Sequence, residues 1–350
     1  MRKPITVALV AAVVLVVIVG GVLWWRSAQQ TDLQQAVSLA PPDSDRLTWT
    51  DWRAVRDELG VDLSSDSSTE DVTGFLDEGF EADLTSTSAL LQSATVLHER
   101  YGVSPASVEW ELFSQSEDGA SVMLRLPESA DFDDLGDTLE ELGYTRPGED
   151  TGVWKGGPTV LAEIAPGLTP ELQYVALDAD ERLVVTSDTE GYLEQAMEAV
   201  AGEGDELERF DDVVEASGEP LSAAVFDGPI ACQALAMSAA DPADQAQADE
   251  LIRAAGEVNP VTGFAMSVQP DGGVRVVLSF ENDDQARTNA DTRAVLASGP
   301  APGQGGEFGD RFAVDSVTAE GSLVTMELDP REGEYVLSDL SSGPVLFATC

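Results

Sequence analysis

A run of 21 residues near the start of the chain, Ile5–Trp25, contains no charged side chain and consists mainly of Val, Leu, Ile and Ala. As a helix it would extend about 32 Å, which matches the roughly 30 Å hydrocarbon core of a bilayer. Trp24 and Trp25 stand at its end, and such aromatic side chains favour the interface between membrane and water. The run therefore predicts an uncleaved transmembrane signal anchor with Trp24 and Trp25 at the membrane interface.

A cleavable signal peptide is the main alternative to this anchor. Such peptides normally have a shorter apolar region that ends in small residues, whereas WWRSAQQ follows the run here. Arg2 and Lys3 outnumber the single Arg26 just beyond the run, and positive charge favours the cytoplasmic side. We therefore expect a single-pass cell-membrane protein with residues 1–4 in the cytoplasm, residues 5–25 in the membrane and the C-terminal domain outside the cytoplasm.

The charge balance is strongly acidic. The chain has 65 Asp and Glu residues against 18 Lys and Arg residues, and its formal net charge is −47 at pH 7. Such a field repels nucleic acid and anionic lipid headgroups, so we expect no nucleic-acid partner. A solvated acidic surface that keeps the domain soluble is the simplest interpretation. Attraction of divalent cations or of a basic partner is the alternative.

The chain has two cysteines, Cys232 in DGPIACQALAM and Cys350 in GPVLFATC. Outside the cytoplasm they would be the one possible intrachain pair, so we predict a disulfide between them. We expect Cys350 to end a strand, VLFAT, and to join it to a helix that carries Cys232. Two free buried thiols, or an intermolecular link through Cys350, are alternatives. A catalytic cysteine would need a base, and the one histidine, His98, lies in the other half of the sequence.

The order of polar and apolar segments predicts two similar halves. Residues 26–45 are polar and predict a stalk. A first half is predicted at 46–217 and a second half at 218–350. Within these halves, four hairpin patterns are each followed by a helical pattern. The hairpins are SVEWELFS with SVMLRLP, LQYVALD with RLVVTS, VTGFAMSVQ with VRVVLSFE, and RFAVDSVTAEG with SLVTMELDP. We predict an α+β fold in which each half has antiparallel hairpins with helices packed on one face.

No motif of known chemistry stands out. The sequence contains no nucleophile elbow, zinc-protease helix, phosphate-binding loop or paired-cysteine zinc motif. Carboxylate pairs are abundant, but helix caps and solvated surfaces explain them equally well. Asp131 in DFDDLGD, for example, is predicted to cap a helix, and Trp49 is predicted to pack in the core and not to form an exposed platform. We therefore predict no catalytic, cofactor-binding or metal-binding residue.

Two segments carry a resemblance to known proteins: LTWTDWRAVRDELG, and ACQALAMSAADPADQAQADELIRAAGEVNPVTGFAMSV. In these segments the chain resembles uncharacterised single-pass envelope proteins of high-GC Gram-positive (actinobacterial) bacteria. The resemblance implies an anchor, an extracytoplasmic domain and the pairing of Cys232 with Cys350. It implies no activity and no site residue.

Together these features predict a non-enzymatic, membrane-anchored extracytoplasmic protein that binds or scaffolds a partner in the cell envelope. A carrier of lipid or another apolar ligand, held in a cavity between the sheet and the helices, is the second hypothesis. A carboxylate-dependent hydrolase is the third, and it would require two carboxylates facing each other in a cleft.

Overall fold

The computed structural model describes residues 30–149, 151–203 and 207–350. In these ranges, strands form where β-branched and apolar residues alternate between turn residues. The strands are β1 (Arg46–Thr50), β2 (Trp110–Gln115), β3 (Ala120–Arg125), β4 (Trp154–Lys155), β5 (Tyr174–Asp178), β6 (Leu183–Ser187), β7 (Ser222–Asp227), β8 (Gly263–Val268), β9 (Val274–Ser279), β10 (Phe312–Glu320) and β11 (Leu323–Pro330).

Helices connect and cover these strands, and a polar residue caps most of the longer ones. Asp131 accepts hydrogen bonds from the N–H groups of Asp133 (3.0 Å) and Asp134 (3.2 Å), which confirms the predicted cap. A π-helical turn, Leu97–Tyr101, directly follows α4. The helices are α1 (Asp32–Ser38), α2 (Trp52–Glu58), α3 (Thr69–Glu81), α4 (Ala94–Val96), α5 (Phe132–Glu141), α6 (Gly157–Ile164), α7 (Glu190–Val200), α8 (Asp211–Ser217), α9 (Gly228–Ala234), α10 (Pro242–Ala255), α11 (Asp283–Leu296), α12 (Phe308–Arg311) and α13 (Val336–Leu340).

The strands form one sheet in the order β10-β11-β9-β8-β7-β1-β2-β3-β6-β5-β4. Neighbouring strands are antiparallel throughout. The four predicted hairpins are confirmed as β2–β3, β5–β6, β8–β9 and β10–β11. The two strands at the centre, β1 and β7, come from opposite halves of the sequence, with Thr48 opposite Ala224. The protein is therefore a mixed α+β fold built on a large antiparallel sheet.

Both faces of the sheet are buried. On β3, Val122 and Leu124 belong to one hydrophobic cluster, whereas Met123 between them belongs to another. This alternation follows from the two-residue period of a strand. On β1, Trp49 also belongs to the second cluster and is almost fully buried, which confirms its predicted place in the core.

The prediction that the helices of each half pack on one face is wrong for the first half. There α5 contributes side chains to the larger cluster, whereas α7 and α8 contribute to the smaller cluster on the opposite face, as does α1. In the second half, α9 to α13 all contribute side chains to the larger cluster. The physical reason is visible in the strands themselves. Segments such as Leu183–Val185 are apolar at consecutive positions, so each face presents side chains that must be shielded from water.

The predicted stalk also needs correction. Within 26–45, residues Asp32–Ser38 form α1, and its Leu33, Ala36 and Val37 are buried against the sheet. Thr31 and Gln34 form a capping box at its start, with mutual hydrogen bonds of 2.9 and 3.2 Å. The folded part thus includes α1 and does not begin at Arg46.

The C-terminal segment is held by the predicted disulfide. Cys232 in α9 is joined to Cys350, 118 positions later. The preceding residues are not the predicted strand, because Leu346–Ala348 form a 3₁₀ turn that is almost fully buried. Phe347 packs against Phe308 and Phe312, with ring centroids 5.2 and 6.3 Å away. Aromatic packing therefore replaces strand pairing at this end of the fold.

A buried arginine fastens the same segment. The side chain of Arg293 in α11 is fully buried, and its guanidinium donates hydrogen bonds to the carbonyl of Phe347, to the carbonyl of Asn259 (2.7 Å) and to Oδ1 of Asn289 (3.1 Å). Burial lowers the pKa of Arg293 to about 9. The guanidinium also lies 5.4 Å from the ring centroid of Phe280, which supplies a cation–π contact.

The predicted anchor at 5–25 lies outside the described residues, as do Trp24 and Trp25. Among the helices of the described ranges, none combines the length and apolar character needed to cross a membrane.

Candidate functional site

A groove with a volume of about 280 Å³ lies at one end of the central strands, where β1 ends and β7 begins. Residues from both halves of the sequence form its walls, together with the β8–β9 turn and the first described residue. The lining residues are Gln30, Thr31, Asp32, Leu33, Trp49, Asp51, Arg53, Ala54, Glu219, Pro220, Leu221 and Pro270.

Hydrogen bonds and a ring contact hold the floor of the groove together. The indole N–H of Trp49 donates a hydrogen bond to the carbonyl of Pro220 at 3.2 Å, so the floor joins β1 to the residue just before β7. The Trp49 ring also packs against Trp110, with centroids 5.4 Å apart. The backbone N–H of Asp51 donates a hydrogen bond to the carbonyl of Leu221 at 2.8 Å, at the same junction.

Charged side chains surround the opening. Asp51 caps α2 by accepting a hydrogen bond from the N–H of Ala54 at 2.8 Å. Nη2 of Arg53 pairs with Oδ2 of Asp32 at 2.8 Å. Glu219 is exposed at the rim. The four charged groups thus comprise three carboxylates and one guanidinium, which leaves the opening acidic at neutral pH.

Partial burial raises the pKa of Asp51, although the hydrogen bond from Ala54 and the charge of Arg53 oppose that rise. Burial lowers the pKa of Arg53, but the nearby carboxylates of Asp51 and Asp32 outweigh this and raise it. A carboxylate that is poorly hydrated gains more from a neighbouring cation than a fully solvated one does. The groove is therefore electrostatically suited to a positively charged group.

Two of the carboxylates in the groove already have partners. Asp51 is used as a helix cap, and Asp32 is used in an ion pair with Arg53. Over the described ranges, no group of three or more His, Cys, Asp or Glu side chains is arranged to hold a metal ion.

A second depression is apolar and lies between the sheet and the helices of the first half. Its enclosed volume is about 20 Å³, roughly the space of one water molecule. It is lined by Leu97, Tyr101, Val103, Leu124, Leu135, Leu139, Leu172, Val175, Leu177, Val184 and Thr186. We call it the apolar crevice. In this conformation its enclosed space is too small for a lipid chain.

Two buried carboxylates were missed by sequence reasoning. Glu111 on β2 is 1% exposed and accepts hydrogen bonds from the indole of Trp52 (2.9 Å), the hydroxyl of Ser88 (2.7 Å) and the N–H of Ala89 (2.7 Å). Burial raises its pKa. The available signal was an acidic residue between Trp110 and Leu112 in a strand pattern.

Asp83 is the other buried carboxylate, and it is 7% exposed. It accepts hydrogen bonds from the N–H groups of Leu337 (2.7 Å) and Ser338 (3.1 Å) at the start of α13. Burial raises its pKa from 3.8 to about 6, against the effect of these hydrogen bonds. No local pattern pointed to this contact, because its partners come from the other half of the sequence.

The predicted site residues have different outcomes. Cys232 and Cys350 are joined, so the free-thiol and intermolecular alternatives do not apply to this structure. His98 is buried and hydrogen-bonded to Ser104 Oγ (3.2 Å) and to the carbonyl of Ser67 (2.7 Å). Both ring nitrogens of His98 are therefore engaged in hydrogen bonds within the fold.

Comparison with known proteins adds no functional assignment. No protein-family model matches the chain, and no curated protein does. Among solved structures, the chain is similar to crystal form I of the treponemal protein TP0453, with a TM-score of 0.42 and 8% identity over 89% of this chain and 98% of that one. Crystal form IV gives a TM-score of 0.42 and 7% identity over 87% and 96%. Likeness at this level transfers no property to this chain.

Proposed function

We propose that this protein is a non-enzymatic binding protein of the cell envelope, anchored in the membrane by residues 5–25 with its folded domain outside the cytoplasm. The groove at the end of β1 and β7 is the place where a partner binds. One observation carries the proposal: a groove of about 280 Å³ lies where both halves of the sequence meet, with a hydrogen-bonded floor and an acidic opening. The partner is a protein segment that presents a basic side chain.

Charge supports this choice of partner. Three carboxylates and one guanidinium surround the groove, and the whole chain carries a net charge of −47. Long-range attraction of this kind accelerates encounter with a basic partner and disfavours acidic ones. The predicted anchor precedes Gln30, which lines the groove, so the bound partner would lie on the side of the domain nearest the membrane.

The proposal includes the origin of the fold by duplication of two similar halves. In the first half a central strand, β1, is followed by the hairpins β2–β3 and β5–β6, and β6 pairs with β3. In the second half β7 is followed by β8–β9 and β10–β11, and β11 pairs with β9. Both halves thus place the second strand of the later hairpin beside the second strand of the earlier one. The groove lies where the two central strands meet.

The experiment that tests binding is photo-crosslinking in intact cells. A photoreactive amino acid replaces Pro270, which is exposed and lines the groove, and the matched control replaces Asp118 in the β2–β3 turn at the opposite end of the sheet. We expect one discrete protein adduct from position 270 and none from position 118. Glu219→Lys should abolish the adduct because it reverses a charge at the opening.

Two outcomes would contradict the proposal. Equal adduct patterns from both positions would show that the groove has no selective partner. An adduct that persists unchanged in Glu219→Lys and in high salt would exclude a basic partner, since charge attraction is screened by salt.

A further inference from the structure

We propose that the apolar crevice is a ligand site for a short aliphatic group that carries an oxygen, the class to which short-chain alcohols belong. The crevice lies between α5, the π-helical turn Leu97–Tyr101 and the strands β3, β5 and β6. It is separate from the groove, since no residue lines both. The proposal therefore does not depend on the proposed binding function.

The walls select an aliphatic group. Apart from Tyr101 and Thr186, each side chain that lines the crevice is Leu or Val. Leu135 and Leu139 of α5 form the roof, and strand residues such as Leu124 form the floor. Burial of alkyl carbons against such walls is favourable. No charged side chain lines the crevice, so nothing there would replace the hydration of a charged ligand.

The floor also contains an unpaired hydroxyl. Thr186 on β6 is 2% exposed, and its Oγ1 has no hydrogen-bond partner among the described residues. On the neighbouring strands it stands beside Val122 and Val175, so the sheet around it is apolar. A buried hydroxyl without a partner is unfavourable, and a ligand oxygen that reaches it would satisfy it.

A water molecule is a poor occupant of the enclosed space. Buried waters typically make about three hydrogen bonds. The other hydroxyl of the wall, that of Tyr101, is already engaged. Tyr144 donates its own proton to the carbonyl of Leu172 at 2.6 Å, so in its contact with Tyr101 at 2.9 Å it accepts and Tyr101 donates. Thr186 remains as the one unpaired polar group that lines the crevice, and a single partner does not hold a water.

The size of the crevice limits the ligand. The enclosed part, about 20 Å³, accommodates only the end of a group, and the remaining carbons would lie in the part that is open to solvent. The π-helical turn supplies Leu97 and Tyr101 to the wall. Such turns are rare and occur frequently at functional sites, which fits a ligand site here.

The test uses the full chain in lipid nanodiscs with isotope-labelled Leu and Val methyl groups, and the probes are butan-1-ol and 1-chlorobutane. We expect saturable shifts of the methyl signals of Leu124 and Leu177 by NMR with either probe. Thr186→Val keeps the side-chain volume and removes the hydroxyl. It should weaken butan-1-ol binding about fivefold, as expected for one lost hydrogen bond, and should leave 1-chlorobutane binding equal or stronger.

Thr85→Val is the matched control, because Thr85 is also fully buried with an unpartnered Oγ1 but does not line the crevice. It should leave the affinity for butan-1-ol unchanged. The absence of saturable shifts at Leu124 and Leu177 would overturn the proposal. Equal affinities of wild type and Thr186→Val for butan-1-ol would overturn it as well, since the hydroxyl would then have no part in recognition.

Discussion

The carboxylate of Asp83 accepts a hydrogen bond from the backbone N–H of Leu337, a residue 254 positions later in the chain. Ser338 donates a second one, so a side chain from the first half caps a helix of the second half. Asp83 has a φ of 57°, in the left-handed region that Asp tolerates better than most residues. Phe80 and Tyr335 pack beside this contact with ring centroids 5.8 Å apart. The two halves are therefore joined by side chains as well as by the sheet.

We predict that Asp83 makes stability depend on pH. Its pKa is raised from 3.8 to about 6 on folding, so its favourable contribution is complete below pH 4 and is lost as pH rises through 6. Relative to Asp83→Asn, the free energy of unfolding of the wild type should fall by up to about 3 kcal/mol between pH 4 and pH 7. Urea unfolding at each pH measures this difference. Asp118→Asn, at an exposed position, keeps Asp83 and should follow the wild type at every pH. Parallel curves for wild type and Asp83→Asn would refute the prediction.

Replacement of Glu111 by Ala should be strongly destabilising. The substitution leaves the buried indole N–H of Trp52, the hydroxyl of Ser88 and the N–H of Ala89 without an acceptor. We expect a loss of about 3 kcal/mol or more in the free energy of unfolding. Chemical denaturation measures the loss, with the exposed Glu117→Ala as control at less than about 0.5 kcal/mol. A loss below 1 kcal/mol would mean that water replaces the carboxylate.

Removal of the disulfide should destabilise the fold without releasing the C-terminal segment in the native state. For a loop of 118 residues, the chain-entropy model predicts about 4 to 5 kcal/mol for the double variant Cys232→Ser and Cys350→Ser. Phe347 and Arg293 still hold the segment. We therefore expect a lower denaturation midpoint, while the N–H of Val345, which donates to the carbonyl of Leu235 at 2.7 Å, still exchanges only through global unfolding in native-state hydrogen exchange. An exchange free energy at Val345 well below the global free energy of unfolding would make the disulfide the main fastener.

Arg293 should be more important than its neighbours on α11. Arg293→Met retains much of the side-chain volume but leaves the carbonyls of Phe347 and Asn259 without their donor. We expect a loss of about 2 to 4 kcal/mol in the free energy of unfolding. Arg287→Met, on the exposed side of the same helix, should change it by less than about 1 kcal/mol. Similar losses for the two variants would show that burial of the guanidinium adds nothing.

Sequence patterns predicted the structure correctly where it depends on residues that are close together in the chain. The hairpins follow from alternating apolar residues on both sides of short turns, and the cap at Asp131 follows from a carboxylate placed three residues before a free N–H. The pairing of Cys232 with Cys350 was accessible because the chain offers no other intrachain pair. In the C-terminal segment the same approach was wrong, since Val345–Thr349 has strand-like composition but packs as a turn among Phe308 and Phe312.

The amino-acid sequence by itself determined the strands, most helix starts, the acidic charge and the disulfide, because these depend on residue type, on neighbours a few positions away or on a count. Only the tertiary structure decided that β1 and β7 meet at the centre of one sheet, that helices cover both faces, and that the groove lies where the halves join. It also brought Asp83 to Leu337 and Arg293 to Phe347. The physical reason is that these contacts minimise exposed apolar surface and unpaired polar groups over the whole chain, a requirement that no short segment expresses.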